Sequence, residues 1–418
     1  MSSLPDANSS EISLVVATPS ENLAQTHANS VEWRGALSLD AYLKREALLL
    51  TQDLTRDNGL TAWMLVHTPP GSSERRVLCG CESIRKRALV KSGKGVVREV
   101  VAHGVASVFC EESRRGRGYA GRMMELLGER LEGWGKGEGQ EVAFSALWSD
   151  IGKNFYAARG WKAMPSAHIA LPAESIATPT GLPLSSPLKA SDLAPLCKAD
   201  EALLRSRLAK QSSPKTTVAL LPDLRTFDWH HAREDFIAME LHSRNPEIKG
   251  AIVGTEEGKR AWCIWTKVWT NPSEKADDTL HILRLVVEDA AYDSFAAAGS
   301  STSKSQVNGH AGKDNVVQQI SALLVAAQHE AKDWGMQHVE LWNPTALALE
   351  AANAVIPETK VVAREKESIC SLRWYGEGSG EDVDWVCNFI TVIVQILSAD
   401  ITPLHFPNNE FKVTRRVE

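Results

Sequence analysis

Residues 102–124 read AHGVASVFCEESRRGRGYAGRMM. The first eight, AHGVASVF, are small, β-branched or aromatic and suit a strand. The run EESRRGRG breaks that pattern, and apolar residues return at Ala120, Met124, Leu127, Leu131 and Trp134. Their spacings of 4, 3, 4 and 3 lay one stripe along a helix. A strand, a basic glycine turn and a helix start in this order bring free backbone N–H groups and the positive helix end to one point. An anion, most simply a phosphate or pyrophosphate, suits that point. Gly116 and Gly118 let the backbone come close, and Arg114, Arg115 and Arg117 add charge. A solvated basic turn reads the same way. No Gly-Lys-Ser/Thr follows and no G-x-G-x-x-G is present, which demotes nucleotide-binding loops of both kinds.

Outward from this stretch, 39–52 has helical spacing, and 62–66, 76–82 and 96–109 read as strands with turns at Pro69-Pro70-Gly71 and Ser92-Gly93. A strand at 141–148 is followed by a short helix carrying Phe155 and Tyr156, closed by Gly160-Trp161. The second half repeats this outline: strands at 250–253, 261–268 and 280–287, a helix at 315–334, a strand at 338–342, and a final pair at 361–363 and 368–375. No glycine loop follows residue 287. The Pro-, Ser- and Thr-rich 171–188 suits a linker, and 290–313 is a low-complexity insertion. The expected organisation is a flexible N-terminus (1–30), a first domain (31–172), a linker (173–190), a second domain (191–385) and a patternless tail (386–418).

The pattern R-x-x-G-x-A at Arg115, Gly118 and Ala120 resembles the acyl-CoA loop of the GNAT superfamily of N-acyltransferases. Phe155-Tyr156 with Gly160-Trp161 resembles a second segment of that superfamily, in the right order and spacing. The resemblance is closer to the fungal lysine N-epsilon-acetyltransferase-like family through 102–124, FSALWSDIGKNFYAARGW (144–161) and CESIRK (81–86). It implies an α+β chain: a GNAT fold, with a mixed, mainly antiparallel sheet flanked by helices, then a degenerate GNAT-like α/β domain. It also implies transfer of acetyl from acetyl-CoA, without a metal, to the side-chain amine of free L-lysine, as a first step in lysine degradation in the cytoplasm.

On that resemblance, backbone groups of Val108, Phe109 and Cys110 would pair with the cofactor arm. The pyrophosphate would rest on the amides of Arg115, Gly116, Arg117, Gly118, Tyr119 and Ala120. Ser149 stands where many members carry a cofactor-holding Asn, and Gly152 where they carry Ala. Tyr156 is the expected general acid for the leaving thiolate; a packed core aromatic is its other reading. A lysine ammonium with a pKa near 10.4 costs roughly 4–5 kcal/mol to neutralise at pH 7, so a base or water chain must help. Glu82, His103 and Asp150 are the candidates near the expected mouth of the sheet, and Glu82 and Asp150 are also candidates to hold the ammonium. Otherwise His103 is a packed strand residue and Glu82 pairs with Arg85 or Lys86. In the second half, Asp228, Trp229, His230 and Glu234 fit either an acceptor wall or a helix cap.

The 418 residues suit two to three domains, and 43% hydrophobic with 23% charged residues exclude a disordered or fibrous chain. With 46 basic against 52 acidic side chains, the net charge of −6 argues against a polyanion or a membrane as partner. The seven Cys are scattered without zinc-ligand spacing, and free thiols are expected. The start has no basic region typical of a signal peptide, and the apolar run at 389–397 is far too short to span a bilayer. Beside lysine, the open alternatives are another small amine such as a polyamine or amino sugar, a protein lysine, and a non-catalytic acyl-CoA sensor. Nucleic-acid binding through RRGRG ranks last.

Overall fold

The computed structural model describes residues 4–93, 95–174, 179–271, 277–290, 310–378 and 380–387, with 292, 295 and 298. Most of the expected insertion at 290–313 and of the tail at 386–418 lies outside the described residues.

In chain order the first half forms β1 (Ile12–Val16), α1 (Pro19–Trp33), α2 (Leu39–Leu50), β2 (Leu60–His67), β3 (Arg76–Ser92), β4 (Arg98–Phe109), α3 (Tyr119–Leu131), β5 (Val142–Ser149), α4 (Asn154–Ala157), β6 (Lys162–Ala163) and β7 (Ala167–Pro172). The second half forms β8 (Ser185–Leu188), α5 (Leu193–Lys210), β9 (Thr216–Leu220), α6 (Leu224–His242), β10 (Gly250–Val253), β11 (Ala261–Val268), β12 (Thr279–Val287), α7 (His310–Asp333), β13 (His338–Trp342), α8 (Ala346–Val355), β14 (Val362–Ala363), β15 (Ile369–Trp374) and β16 (Val383–Trp385).

The N-terminal stretch expected to be flexible is structured from β1 onward. Its signal is local: Thr18 accepts from the Glu21 amide, the Glu21 carboxylate accepts from the Thr18 amide, and Pro19 opens the helix. This capping box with an N-terminal Pro fixes the start of α1. β1 then pairs antiparallel with β2 and extends the sheet.

Two sheets result. One runs β1-β2-β3-β4-β5-β15-β6, with β9 paired to the end of β3 and β16 to β9; the other runs β14-β7-β13-β12-β11-β10-β8. Each has a parallel pair at its centre, β4 with β5 and β12 with β13, joined by a helix, α3 or α7. The second sheet is therefore a second GNAT-like unit, as the repeated outline predicts.

The expected boundary at 173–190 is corrected by the strand order. β7, from the end of the first half, adds to β13 in the second sheet, with Trp342 opposite His168. β15, from the end of the second half, adds to β5 in the first, with Cys370 opposite Trp148. The two halves thus exchange equivalent strands, and the supposed linker contains β8, an edge strand on β10. Propensity and periodicity report that a strand exists but not which sheet receives it, so the exchange left no local mark. The halves also share a core: Trp33, Leu37 and Tyr42 of the first half pack in one cluster with Ile237, Trp265 and Leu323 of the second.

Beneath α6 lies a buried ion cluster. Glu234 accepts from Lys249 and Lys267, both at 2.9 Å, and all three side chains are 3% exposed or less. Glu330 also meets Lys267 at 3.0 Å. Lys249 also meets Asp235, so removing the central carboxylate leaves each buried ammonium with one counter-ion in place of two, a loss below the roughly 3–5 kcal/mol of a fully broken buried pair. Glu234→Gln is therefore expected to cost about 1–3 kcal/mol of stability and to lower the midpoint of thermal or urea unfolding accordingly, as followed by circular dichroism. This fixes Glu234 as a structural residue.

Candidate active site

The parallel ladder between β4 and β5 ends early. Its last rung joins Gly104 to Ala146, so 105–109 and 147–149 face each other without a backbone rung. A bulge on the other edge of β4 accompanies the opening: Glu82 lies opposite Ala106 and Gly80 opposite Phe109, which leaves two β4 residues facing one of β3. Ser107, inside the bulge, takes the left-handed conformation at φ +54°, uncommon for a residue with a side chain. Such a bulge sharpens local twist and re-aims the strand. The backbone of Val108, Phe109 and Cys110 lies along the opening, with Phe109 packed edge-on against Trp33 at 5.9 Å.

At the end of β4 the chain makes one turn of 3-10 helix (Glu112–Arg114) and enters α3. Gly116 and Gly118 have φ of +75° and +83°, and Gly118 is the N-cap residue of α3. The first amides of α3, from Tyr119 and Ala120 on, have no partner within the helix. Arg115 donates to the Cys110 carbonyl at 2.9 Å and meets Glu32 at 3.1 Å, while Arg117 is exposed and makes no ion pair among the described residues. Tyr119 is buried and donates its hydroxyl to the Pro5 carbonyl at 2.5 Å, so its amide and not its phenol faces the loop's ligand position. A Cβ at Gly118 would stand 3.3 Å from that of Ala7 in a conformation costing an L-residue about 1–2 kcal/mol. Gly118→Ala is therefore expected to weaken binding of a pyrophosphate-bearing ligand at this loop about tenfold in a calorimetric titration, with little loss of fold.

Tyr156 sits in α4, buried, in the same cluster as Val105 and Leu147, the first residue of each strand beyond the last rung. Its hydroxyl has no hydrogen-bond partner among the described residues. Burial first, and the charge of Asp150 second, hold its pKa well above the usual phenol value, so it is a proton donor throughout the physiological range.

Glu82 is only partly exposed and accepts a hydrogen bond from the Ser107 hydroxyl at 2.6 Å. Desolvation raises its pKa to about 7, against the lowering effect of that bond. It pairs with neither expected neighbour: Arg85 donates to Gln140 at 2.6 Å and Lys86 to Thr226 at 2.7 Å.

His103 is not at the mouth. It lies in the paired part of β4, opposite Arg85 in the β3 ladder. Strand alternation places it on the face away from Glu82, whose partner in that ladder is Ala106. Its Nε2 is 3.0 Å from the Trp134 carbonyl just beyond α3, and burial lowers its pKa to about 4. Asp150 accepts from the amide and hydroxyl of Ser368 at 2.7 and 3.3 Å and so fixes the turn into β15; burial raises its pKa to about 6. Ser149 spends its hydroxyl on the Gly152 carbonyl at 2.7 Å. The structure therefore places Tyr156 beside the β4–β5 opening and Glu82 on β3 at the β4 bulge, and gives Asp150 and Ser149 turn-forming contacts.

Sequence reasoning missed Ser107 and Tyr42. Ser107 is conspicuous only as a lone hydroxyl in an apolar strand, and Tyr42 sat inside a helical pattern without distinction. Of the second-half candidates, Trp229 packs with Leu49, Leu54 and Ile84, and His230 is buried with Nε2 unpartnered. Asp228 is partly buried, with a pKa raised by burial and by Asp53. No group of three or more His, Cys, Asp or Glu among the described residues is placed to hold a metal ion. No helix among them is long and apolar enough to cross a membrane.

Residues 168–389, just over half of the chain, match the family model described as the LYC1 GNAT-like C-terminal domain. The chain belongs to the GNAT superfamily. It is an N-acyltransferase that draws on an acyl-CoA. Among curated proteins it resembles a lysine acetyltransferase of Yarrowia lipolytica, 23% identical over 330 residues that cover 67% of this chain and 81% of the relative. Among solved structures, an N-myristoyltransferase of Saccharomyces cerevisiae with bound myristoyl-CoA and inhibitors is 9% identical with a TM-score of 0.51, covering 90% of this chain and 82% of that one. A GCN5-related N-acetyltransferase from Kribbella flavida is 13% identical with a TM-score of 0.48, covering 87% and 71%. The myristoyltransferase likeness shows the fold alone.

Proposed function

We propose that this GNAT enzyme transfers acetyl from acetyl-CoA to the side-chain amine of free L-lysine, in the cytoplasm, by direct attack within a ternary complex. The observation that carries the reading is a proton donor and a proton acceptor flanking the end of β4: Tyr156 packed with Val105 and Leu147, Glu82 bonded to Ser107 in the β4 bulge. The similarity to a lysine acetyltransferase supports the choice of acceptor.

The pantetheine arm lies along the backbone of 108–110, and the pyrophosphate takes the amides of 116–120 with Arg117 at the edge. Amides of the strand edge polarise the thioester carbonyl. Glu82, with a pKa near 7, removes a proton from the ammonium directly or through water. The neutral nitrogen attacks the carbonyl carbon, the C–N bond forms and the C–S bond breaks. The leaving thiolate takes the Tyr156 phenolic proton; of the two protons the nitrogen gives up, the first passes from Glu82 to solvent and the second returns through water to re-form the phenol. Purified protein with acetyl-CoA and L-lysine should release CoA thiol and place the acetyl group on the side-chain nitrogen, located by mass spectrometry. Acetyl-CoA binding with no thiol release on lysine would remove lysine as the acceptor.

A further inference from the structure

A guanidinium that the steps above do not use lies one helical turn beyond Trp229, which packs with Ile84, two positions from Glu82 on the same face of β3. Arg233 is carried by α6, the second-half helix that packs against α2. It is partly buried, and among the described residues it makes no hydrogen bond and no ion pair. The arginine beside it is otherwise engaged: Arg45 donates to Glu46 and to the Trp33 carbonyl. Three residues earlier, on the same side of α6, His230 keeps a buried Nε2 without a partner.

Tyr42 relates this group to the reacting end. Its ring, carried on α2, which packs against α6, and fixed by a 2.9 Å hydrogen bond to Asn29, lies within electrostatic reach of both Glu82 and Arg233. A cation removed from water without a counter-ion is costly, and a planar guanidinium is best satisfied by two parallel bonds to a carboxylate. The nearby carboxylate, Glu46, is already held by Arg45. Burial first, and the Arg45 charge second, pull the Arg233 pKa down to about 9, which leaves it a cation at neutral pH.

We propose that Arg233 receives the α-carboxylate of the acceptor amino acid while Glu82 receives its side-chain ammonium. Arg233 is then a specificity-determining residue that admits an amino acid and passes over a plain diamine; this rests on the free-lysine reading above. An acceptor held at both ends presents its distal nitrogen to the thioester in one orientation. Peptide-bound lysine, whose carboxylate is consumed in an amide, forfeits the second hold.

The test is steady-state kinetics with L-lysine and with 1,5-diaminopentane, the same chain without the carboxylate, for the wild type, Arg233→Met and Arg233→Lys. Arg233→Met should raise KM for lysine on the order of 10- to 100-fold with kcat within about threefold, as expected for loss of a charged hydrogen-bonded contact. The diamine kcat/KM and the acetyl-CoA KM should stay unchanged, and Arg233→Lys should recover part of the lysine KM. An unchanged lysine KM, or equal losses on both amines, overturns the role of Arg233. Wild-type enzyme that turns over the diamine but not lysine overturns the acceptor reading itself.

Discussion

Tyr156→Phe is expected to cut kcat for lysine acetylation about 100-fold or more, with the acetyl-CoA dissociation constant within about threefold of wild type. General acid catalysis by a positioned side chain contributes about 10²- to 10⁴-fold. The lower part of that range applies here because a thiolate, with a conjugate pKa near 8.5, leaves tolerably even without a proton. The ring itself has its place in the Val105 and Leu147 cluster and Phe fills the same volume, so the substitution removes one oxygen and little packing. Single-turnover thiol release alongside calorimetric binding of CoA separates the two effects. A variant that binds CoA normally and keeps its rate would return Tyr156 to the role of a packed aromatic.

The second large effect concerns Glu82. Glu82→Gln retains an acceptor for the Ser107 hydroxyl but removes the base, and a loss in kcat/KM of about 10²- to 10³-fold is expected. The pH profile carries the sharper signature. A carboxyl with a pKa near 7 is protonated and inactive below that pH and active above it, so wild-type kcat/KM should fall on the acid side with a midpoint near 7. That limb should vanish in Glu82→Gln, leaving only the rise due to deprotonation of the acceptor amine. Ser107→Ala gives a check on sign. The hydroxyl stabilises the carboxylate, so its removal should push the Glu82 pKa further up and move the acid limb to higher pH. A limb that stays at the same pH in all three proteins assigns the titration to another group.

The parts of the site held in contiguous sequence were the legible ones. The strand, glycine loop and helix of 102–131 are local structure, and the φ values of Gly116 and Gly118 are those that two glycines before a helix suggest. Tyr156 was legible through a family pattern and its place beside the opening, since a lone aromatic before a Gly has no chemical meaning of its own. His103 went astray because strand alternation was not followed through: its face of the sheet is set by the register of β4 against β3, and the bulge at Ser107 alters the faces beyond it. Asp150 lay close to the expected place, yet its hydrogen bonds go to Ser368, more than two hundred positions away, which no periodicity reports. Arg233 was passed over within a helix whose neighbours drew attention, because whether a charge is paired depends on the packing of α2 and α6.

The reciprocal passage of β7 and β15 ties the order of synthesis to the order of assembly. Both motifs of the proposed acyl-CoA site have been synthesised by residue 161, yet β5 waits for its outer neighbour until residue 374 has been made. Until then the nascent first half exposes the edge of a nearly finished sheet, a template for wrong pairing. A late nonsense codon that spared all the catalytic groups would leave that edge open, and heritable damage to activity is to be looked for far downstream of the residues that carry the chemistry.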